Sequence, residues 1–208
     1  MALSRRTSAK TIRHESVRGR DRGLVGLLQA LADQAAPTRR WAARDLAAHP
    51  GSAPDLLARL RVEQDASVRQ TLLTSLAQIR TAQAAEGLIP LLGSEDAALR
   101  NEVVEALKAM PEAIAGFMPS LLANADPDVR ILAVNVLESL RHPQVESWLI
   151  NVICADPNVN VCATALDLLS EVGTSAAESA LLAVERRFPD EPYVTFAAQL
   201  ALKRLREG

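Results

Sequence analysis

The sequence predicts an all-α fold, a right-handed α-solenoid of about six helical hairpins. One apolar pattern recurs along the chain at spacings of 30 to 33 residues. Within each copy, apolar side chains fall at offsets of 0, 4, 8 and 11, which places them on one face of an α-helix. Alanine and leucine dominate and aromatic residues make up only 3%. A single hairpin cannot bury its apolar face alone, so a fixed period of this length predicts stacked neighbours.

The second helix of each copy is defined by its reference position at offset 0. Those positions are Thr38, Val68, Leu99, Val129, Val161 and Val194. A leucine follows eight residues later in every copy, so we expect these leucines to be buried between hairpins. They are Leu46, Leu76, Leu107, Leu137, Leu169 and Leu202.

A first helix precedes each reference position, because a second apolar cluster with i, i+3, i+4 spacing lies upstream of it. The fifth of these clusters contains Trp148, which we expect in the core. Turn residues separate the two helices, namely Pro37, Asp65, Asp96, Asp126-Pro127 and Asp156-Pro157. Aspartate caps free N–H groups at a helix start, and proline fits the first helical turn. Each copy is therefore predicted to be two short helices joined by a turn.

The turn motif Asp-x-x-Val-Arg and its degraded copies carry a resemblance to a known family. The motif is seen from Asp65 to Arg69, from Asp96 to Arg100 and from Asp126 to Arg130. With the first-helix prolines Pro90 and Pro119, it resembles HEAT repeats of the short type related to phycobilisome lyases, over roughly residues 23 to 206. The resemblance implies that these aspartates and arginines form a structural ladder between repeats. Cys162 stands where the fifth arginine is expected, so the ladder should weaken toward the C-terminus.

Charge divides the chain unevenly, although its formal net charge is only −2. Residues 1–44 carry net +7, residues 45–171 carry net −9, and the remainder is balanced. Residues 1–22 are basic and lack an apolar stripe, which predicts a flexible arm. The alternative is an arm that docks on an acidic partner or on the chain's own acidic middle. Residues 23–208 are predicted to form one continuous repeat domain, because each repeat needs its neighbours.

Composition also suggests a compartment. No apolar run reaches the ~20 residues that a membrane span needs. Residues 1–22 lack the apolar core of a signal peptide, so we expect a cytoplasmic protein without membrane contact. The two cysteines, Cys154 and Cys162, are expected to be reduced thiols there.

The histidines and cysteines of the chain do not form a recognisable catalytic or metal-binding motif. His14, His49 and His142 are scattered, so no metal or cofactor site is expected, and Cys162 has no histidine nearby in sequence. We therefore expect a protein that is not an enzyme. One alternative is an enzyme or enzyme accessory protein, as some relatives of the family are. Another is nucleic-acid binding through the arm together with Arg39, Arg40, Trp41 and Arg44.

The second-helix surface is the remaining candidate, since the resemblance implies that second helices line the concave side. Offsets 2, 3, 6 and 9 should point outward, and their side chains vary from basic and aromatic to acidic. We expect a scaffold that binds a protein or peptide partner there, with a bacterial regulatory complex as one setting. The alternative is an ordinary solvated face with Trp41 packed under the arm. The predicted contact residues are Arg40, Trp41, Arg44, Gln70, Thr74, Asn101, Glu105 and Asn135.

Overall fold

The computed structural model describes residues 23–207, and this part of the chain is helix and turn without any strand. Its internal contacts divide it into two compact units between Gly87 and Leu88. We refer to residues 23–87 as the N-terminal unit and to residues 88–207 as the C-terminal unit. The predicted arm, residues 1–22, lies outside the described residues. The single domain expected for residues 23–208 stays a prediction.

The N-terminal unit consists of two helical hairpins and the start of a third. Helix α1 packs on α2, α3 packs on α4, and the second helices α2 and α4 lie side by side. Leu46, Leu56, Leu72 and Leu76 are completely buried in its core. The helices are α1 (Leu24–Leu31), α2 (Ala36–Leu46), α3 (Ala53–Leu60), α4 (Ala66–Ile79) and α5 (Ala82–Leu88), which ends at the first residue of the C-terminal unit.

The C-terminal unit continues with second helices that pack in sequence, α6 on α9, α9 on α11, and α11 on α13. First helices pack against their own second helices, α8 on α9, α10 on α11, and α12 on α13. The α-helices are α6 (Ala97–Lys108), α7 (Pro111–Ile114), α8 (Met118–Leu122), α9 (Pro127–Leu137), α10 (Val145–Ala155), α11 (Val159–Val172), α12 (Glu178–Arg187) and α13 (Pro192–Glu207).

Proline interrupts the first helices more than the simple two-helix pattern predicts. Short 3₁₀ segments stand at Pro50–Ser52 before α3, at Ile89–Gly93 after α5, and at Ala115–Phe117 between α7 and α8. Proline has no N–H to donate and its ring crowds the preceding turn, so a regular α-helix cannot run through it. The first element of several hairpins is therefore a broken helix, whereas the second helices are continuous.

Capping at the second helices follows the predicted turns in three hairpins and departs from them in a fourth. Asp65, Asp96 and Asp126 accept N–H hydrogen bonds from the first turns of α4, α6 and α9. In the fifth hairpin Asn158, and not Asp156, caps α11, by accepting from the N–H groups of Asn160 and Val161. The two additional residues of that turn shift the cap by two positions, so the expected role of Asp156 as a helix cap was wrong.

The predicted core is confirmed in both units. All six leucines at offset eight are buried: Leu46 and Leu76 in the N-terminal unit, and Leu107, Leu137, Leu169 and Leu202 in the C-terminal unit. Trp148 is also buried, at 9% exposure. The apolar register read from the sequence therefore fixes the face that each second helix turns inward, and so also the face that it leaves to solvent.

Candidate partner-binding site

A buried ion pair joins the two hairpins of the N-terminal unit at their turns. The guanidinium of Arg39 donates to both carboxylate oxygens of Glu63, at 2.8 and 2.7 Å. Its remaining nitrogen, Nη1, donates to the carbonyl oxygens of Asp33 and Gln34. Arg39 is only 8% exposed. Its proposed place in a nucleic-acid surface was therefore wrong, because its donors are directed into the protein.

The C-terminal unit repeats this arrangement with Arg130 and Asp156. Arg130 donates from Nε and Nη2 to the two carboxylate oxygens of Asp156, at 2.7 and 2.9 Å, and from Nη1 to the carbonyl oxygens of Asn124 and Ala125. In both pairs the acid lies five residues before the reference position of the next hairpin. The family resemblance implies a ladder of turn aspartates and arginines. The pair of Arg130 with the turn aspartate Asp156 agrees with it, whereas Arg39 pairs with Glu63 and not with the capping aspartate Asp65.

At the fifth hairpin the sequence has Cys162 in place of the repeated arginine, and a different arginine donates hydrogen bonds to this turn. The Arg187 side chain, at the end of α12, donates to the carbonyl oxygens of Asp156 and Ile153. Asp156 lies six residues before Cys162, and the corresponding carbonyl is the one that Arg130 reaches at Asn124. Arg187 thus reaches the same type of backbone acceptor from the following hairpin, and the expected weakening of the Asp–Arg ladder stays a prediction.

Burial and hydrogen bonds shift the pKa values of the titratable groups at these turns. Burial would raise the pKa of Glu63, but hydrogen bonds from Arg39, the Asp65 backbone and Arg59 lower it to about 2. Burial opposes ionisation of Asp156 in the same way, and the Arg130 hydrogen bonds nevertheless hold its pKa below the usual value. Burial raises the pKa of the Cys162 thiol. The two carboxylates are thus ionised at neutral pH and the thiol is protonated, which suits neither acid–base nor nucleophilic catalysis by these groups.

The side chains weighed for a catalytic pair make separate contacts. The Cys162 sulfur lies near the carbonyl oxygens of Val152 and Asp156. His142 stacks on Trp148 at a ring distance of 5.1 Å, and its Nδ1 accepts the N–H of Gln144. Within residues 23–207 no three metal-ligating side chains come together.

The predicted contact residues of the N-terminal unit lie on two adjacent second helices. Arg40 and Arg44 are exposed on α2, and Gln70 and Thr74 are exposed on α4. Arg44 pairs with its neighbour Asp45 at 2.9 Å. Trp41 is half-buried, and its indole Nε1 is shielded without a hydrogen-bond partner. The four polar side chains predicted to make contact in this unit are therefore exposed to solvent, while the Trp41 indole is partly covered.

The predicted residues of the C-terminal unit lie beside a polar bridge between α6 and α9. Asn101 and Glu105 are exposed on α6, and Asn135 is half-buried on α9. Lys108 donates to Glu138 at 2.6 Å and lies 3.4 Å from Glu105. The two helices thus bring all three predicted residues to one stretch of surface.

An acidic cleft of about 160 Å³ lies between α9 and α11 and includes the predicted residue Asn135. Three of its lining residues are carboxylates, Glu138, Asp167 and Glu171. The others are Val134, Asn135, Thr164 and Leu168. The lining therefore combines negative charge with hydroxyl and amide groups above an apolar floor.

Three exposed apolar residues on α13 were missed in the choice of contact residues. Tyr193, Phe196 and Leu200 are 52%, 62% and 36% exposed, and their spacing of three and seven residues places them on one face of the helix. The sequence contained the signal, because Phe196 and Leu200 occupy the outward offsets 2 and 6. Trp41 is the one aromatic residue among the predicted contact residues.

A larger cleft of about 480 Å³ lies on the first-helix side, between α8 and α10. Leu122, Trp148 and Val152 supply apolar walls, and Arg130 with Asp156 forms the charged part of the lining. Those two side chains are hydrogen-bonded to each other, so this contact serves the fold and leaves them few groups for binding a ligand.

Comparison with known proteins identifies the family to which this architecture belongs. The sequence profile of HEAT repeats matches residues 24–108 and 114–203. The chain therefore belongs to the HEAT-repeat family, and the resemblance seen in its turns is confirmed. No curated protein matches it. The predicted all-α solenoid of about six hairpins is likewise confirmed.

One solved structure shows the same fold at low sequence identity, and two others are less similar to the chain. A HEAT-like repeats protein of the archaeon Thermococcus onnurineus has a TM-score of 0.51 at 17% identity, covering 97% of this chain and 92% of its own. An engineered protein has a TM-score of 0.42 at 22% identity, and the match covers 88% of this chain and 98% of the engineered one. The complex of CpcE and CpcF of phycocyanin lyase from Nostoc reaches 0.39 at 22% identity, with 86% and 81% covered. At these identities the likeness concerns the fold alone.

No helix within residues 23–207 combines the length and the hydropathy that a membrane span requires.

Proposed function

We propose that this protein is a non-enzymatic scaffold that binds a protein partner through the outward faces of its second helices. The observation that carries the proposal is the contrast between the two edges of each hairpin. At the turns, arginines and carboxylates are buried and bound to one another, as in Arg39–Glu63 and Arg130–Asp156. On the second-helix faces, by contrast, polar side chains such as Arg40, Gln70 and Asn101 and the aromatic rings of Tyr193 and Phe196 are exposed to solvent.

The composition of these faces fits protein recognition. Binding hot spots are enriched in tryptophan, tyrosine and arginine, and polar rims surround apolar centres. The N-terminal unit presents Arg40 and Arg44 beside half-buried Trp41. The C-terminal unit presents Asn101 and Glu105, together with a row of exposed apolar residues on α13. A scaffold can use such distributed contacts, because repeat proteins offer extended surfaces rather than one deep pocket.

Site-specific photo-cross-linking tests the proposal. Benzoylphenylalanine would replace Asn101 or Asn135 on second helices and, as a control, exposed Glu112 on the first-helix element α7. We expect protein adducts in cells that naturally produce the chain from the two second-helix positions and not from Glu112. Adducts from Glu112 alone would move the interface to the first-helix side.

Charge reversal in the N-terminal unit gives an independent measure. Arg44→Glu should weaken the complex with the cross-linked partner by more than about 1 kcal/mol, as truncation of an interface arginine commonly does. The melting temperature should not change, because Arg44 is exposed and pairs only with the adjacent Asp45 among the described contacts. Ala48→Glu, at another exposed position near the end of the same helix, serves as the matched control. Equal losses in both variants would mean that charge alone, and not the site, governs binding.

A further inference from the structure

An exposed apolar row on α13 borders the acidic part of the second-helix surface. Phe196, Tyr193 and Leu200 are exposed at 62%, 52% and 36%, whereas Val194, Ala198 and Leu202 of the same helix are buried in the core. Single exposed apolar residues are common on any protein. A contiguous row on one helix face, with two aromatic rings, is instead a typical feature of interaction surfaces.

A hydrogen bond links this row to the carboxylates of α11. The Tyr193 hydroxyl donates to Asp167, with its oxygen 2.7 and 2.8 Å from the two carboxylate oxygens. Asp167 also lines the cleft of about 160 Å³ with Glu138 and Glu171. The aromatic row and the acidic cleft are therefore parts of one continuous surface, which we define as the α11–α13 surface: Asp167, Glu171, Tyr193, Phe196 and Leu200.

Nearby cations leave the acidic character of the cleft in place. Lys108 binds Glu138 through one carboxylate oxygen, and Arg204 donates to the backbone and hydroxyl oxygens of Ser170. The cleft lining itself, taken from the described chain, contains three carboxylates and no arginine or lysine. Its volume is about five times the ~30 Å³ that one water occupies in the liquid, which leaves room for one side chain.

We propose that the α11–α13 surface docks a basic segment of the partner protein, with an arginine or lysine placed next to an apolar side chain. The cation would enter the acidic cleft, where Asp167 and Glu171 complement its charge. Its stem and the neighbouring apolar residue would cover Phe196 and Leu200, and a guanidinium can also stack on an aromatic face. This inference rests on the proposed function and adds the chemistry of the partner.

Selection from a random dodecapeptide library on the immobilised full chain tests the inference. We expect the enriched peptides to contain arginine or lysine within two positions of an apolar residue. Synthetic copies of these peptides should bind at least tenfold more weakly to Phe196→Ser and at least threefold more weakly to Glu171→Gln. Binding should weaken as salt is raised from 50 to 500 mM, because exposed charges are screened.

Leu182→Ser provides the matched control, because Leu182 is 43% exposed on the first helix of the same hairpin. This variant should bind the peptides as the wild type does, and all variants should keep its melting temperature. Equal binding after each peptide arginine or lysine is replaced by glutamate would overturn the inference. So would enriched peptides that lose binding to Arg44→Glu but not to Phe196→Ser, although that result would leave the broader proposal standing. If no peptide is enriched over the bare support, both proposals fail.

Discussion

Two ion pairs join consecutive hairpins of the C-terminal unit at nearly the same distance, in very different surroundings. Arg130 lies 2.7 Å from Asp156, and the two side chains are only 11% and 5% exposed. Lys108 lies 2.6 Å from Glu138, but the glutamate side chain is 61% exposed. The interaction of two charges depends strongly on the surrounding dielectric, so burial and not distance separates these pairs. The first belongs to the fold, whereas the second lies on the surface that we assign to binding.

Hydrogen bonding sharpens the difference between the pairs. Arg130 donates two bonds to one carboxylate and further bonds to two carbonyl oxygens of the preceding turn. Lys108 is a single ammonium shared between Glu105 and Glu138. A planar guanidinium in a bidentate pair fixes geometry, and a lysine at a solvated site can exchange partners. Several hydrogen bonds thus fix the turns between the two helices of these hairpins. The second-helix surface can exchange its contacts with little loss of stability.

The largest effect is expected from breaking the buried pair at one side only. Arg130→Gln should destabilise the protein by about 3–5 kcal/mol, because Asp156 would remain as a buried charge without its partner. Urea unfolding followed by circular dichroism measures this change. The double variant Arg130→Met with Asp156→Leu should recover a substantial part of the loss, since it removes both charges. If the double variant loses as much stability as the single variants Arg130→Met and Asp156→Leu together, the pair is not coupled.

Acid should weaken the corresponding pair of the N-terminal unit. The pKa of Glu63 is about 2, below its ordinary value of 4.5, so ionisation of this carboxylate favours the folded state. Its contribution is complete above about pH 4.5 and falls progressively as the pH drops toward 2. The shift corresponds to at most about 3 kcal/mol of stability. Urea midpoints measured between pH 6 and pH 2 report this dependence.

Glu63→Gln is the matched variant for the acid experiment. It keeps the size of the side chain and removes the titrating group, so its stability should fall less steeply than that of the wild type between pH 4.5 and 2. Identical slopes in the two proteins would show that Glu63 does not carry the acid sensitivity of this unit.

Sequence reasoning succeeded where a single periodic rule decides the structure. The offset-eight leucines and the caps Asp65, Asp96 and Asp126 follow from helix geometry within one repeat. It failed where a residue from another hairpin completes a contact. At Cys162, where an arginine is missing, Arg187 makes the corresponding hydrogen bond. It can do so only because α12 packs close to this turn, and no local sequence pattern predicts that packing. The acid partner Glu63 was missed because it lies two residues before the cap Asp65, outside the Asp-x-x-Val-Arg motif.

The solvent exposure of the predicted contact residues followed from the sequence, whereas their role in binding stays a prediction. Outward offsets correctly placed Arg40, Arg44, Gln70, Asn101 and Glu105 in solvent. Exposure within a column varies with the neighbouring helix, however, so Trp41 is half-buried while Phe196 at a related offset is 62% exposed. Which aromatic residue is available for binding therefore depends on the packing around each helix.

The smallest effect is expected at the exposed pair. Burial disfavours the charge on Lys108, but Glu138 and Glu105 more than offset this and raise its pKa, so the ammonium group is charged at neutral pH. Because Glu138 is largely solvated, we expect a coupling of about 0–1 kcal/mol in a double-mutant cycle of Lys108→Met and Glu138→Gln. Urea unfolding at 50 and 500 mM NaCl measures the coupling, and salt should reduce it. A coupling near the value for Arg130 and Asp156 would contradict the distinction between the two surfaces. It would mean that the second-helix surface is held as rigidly as the turns, and that a partner could not displace Lys108 from Glu138 when it binds.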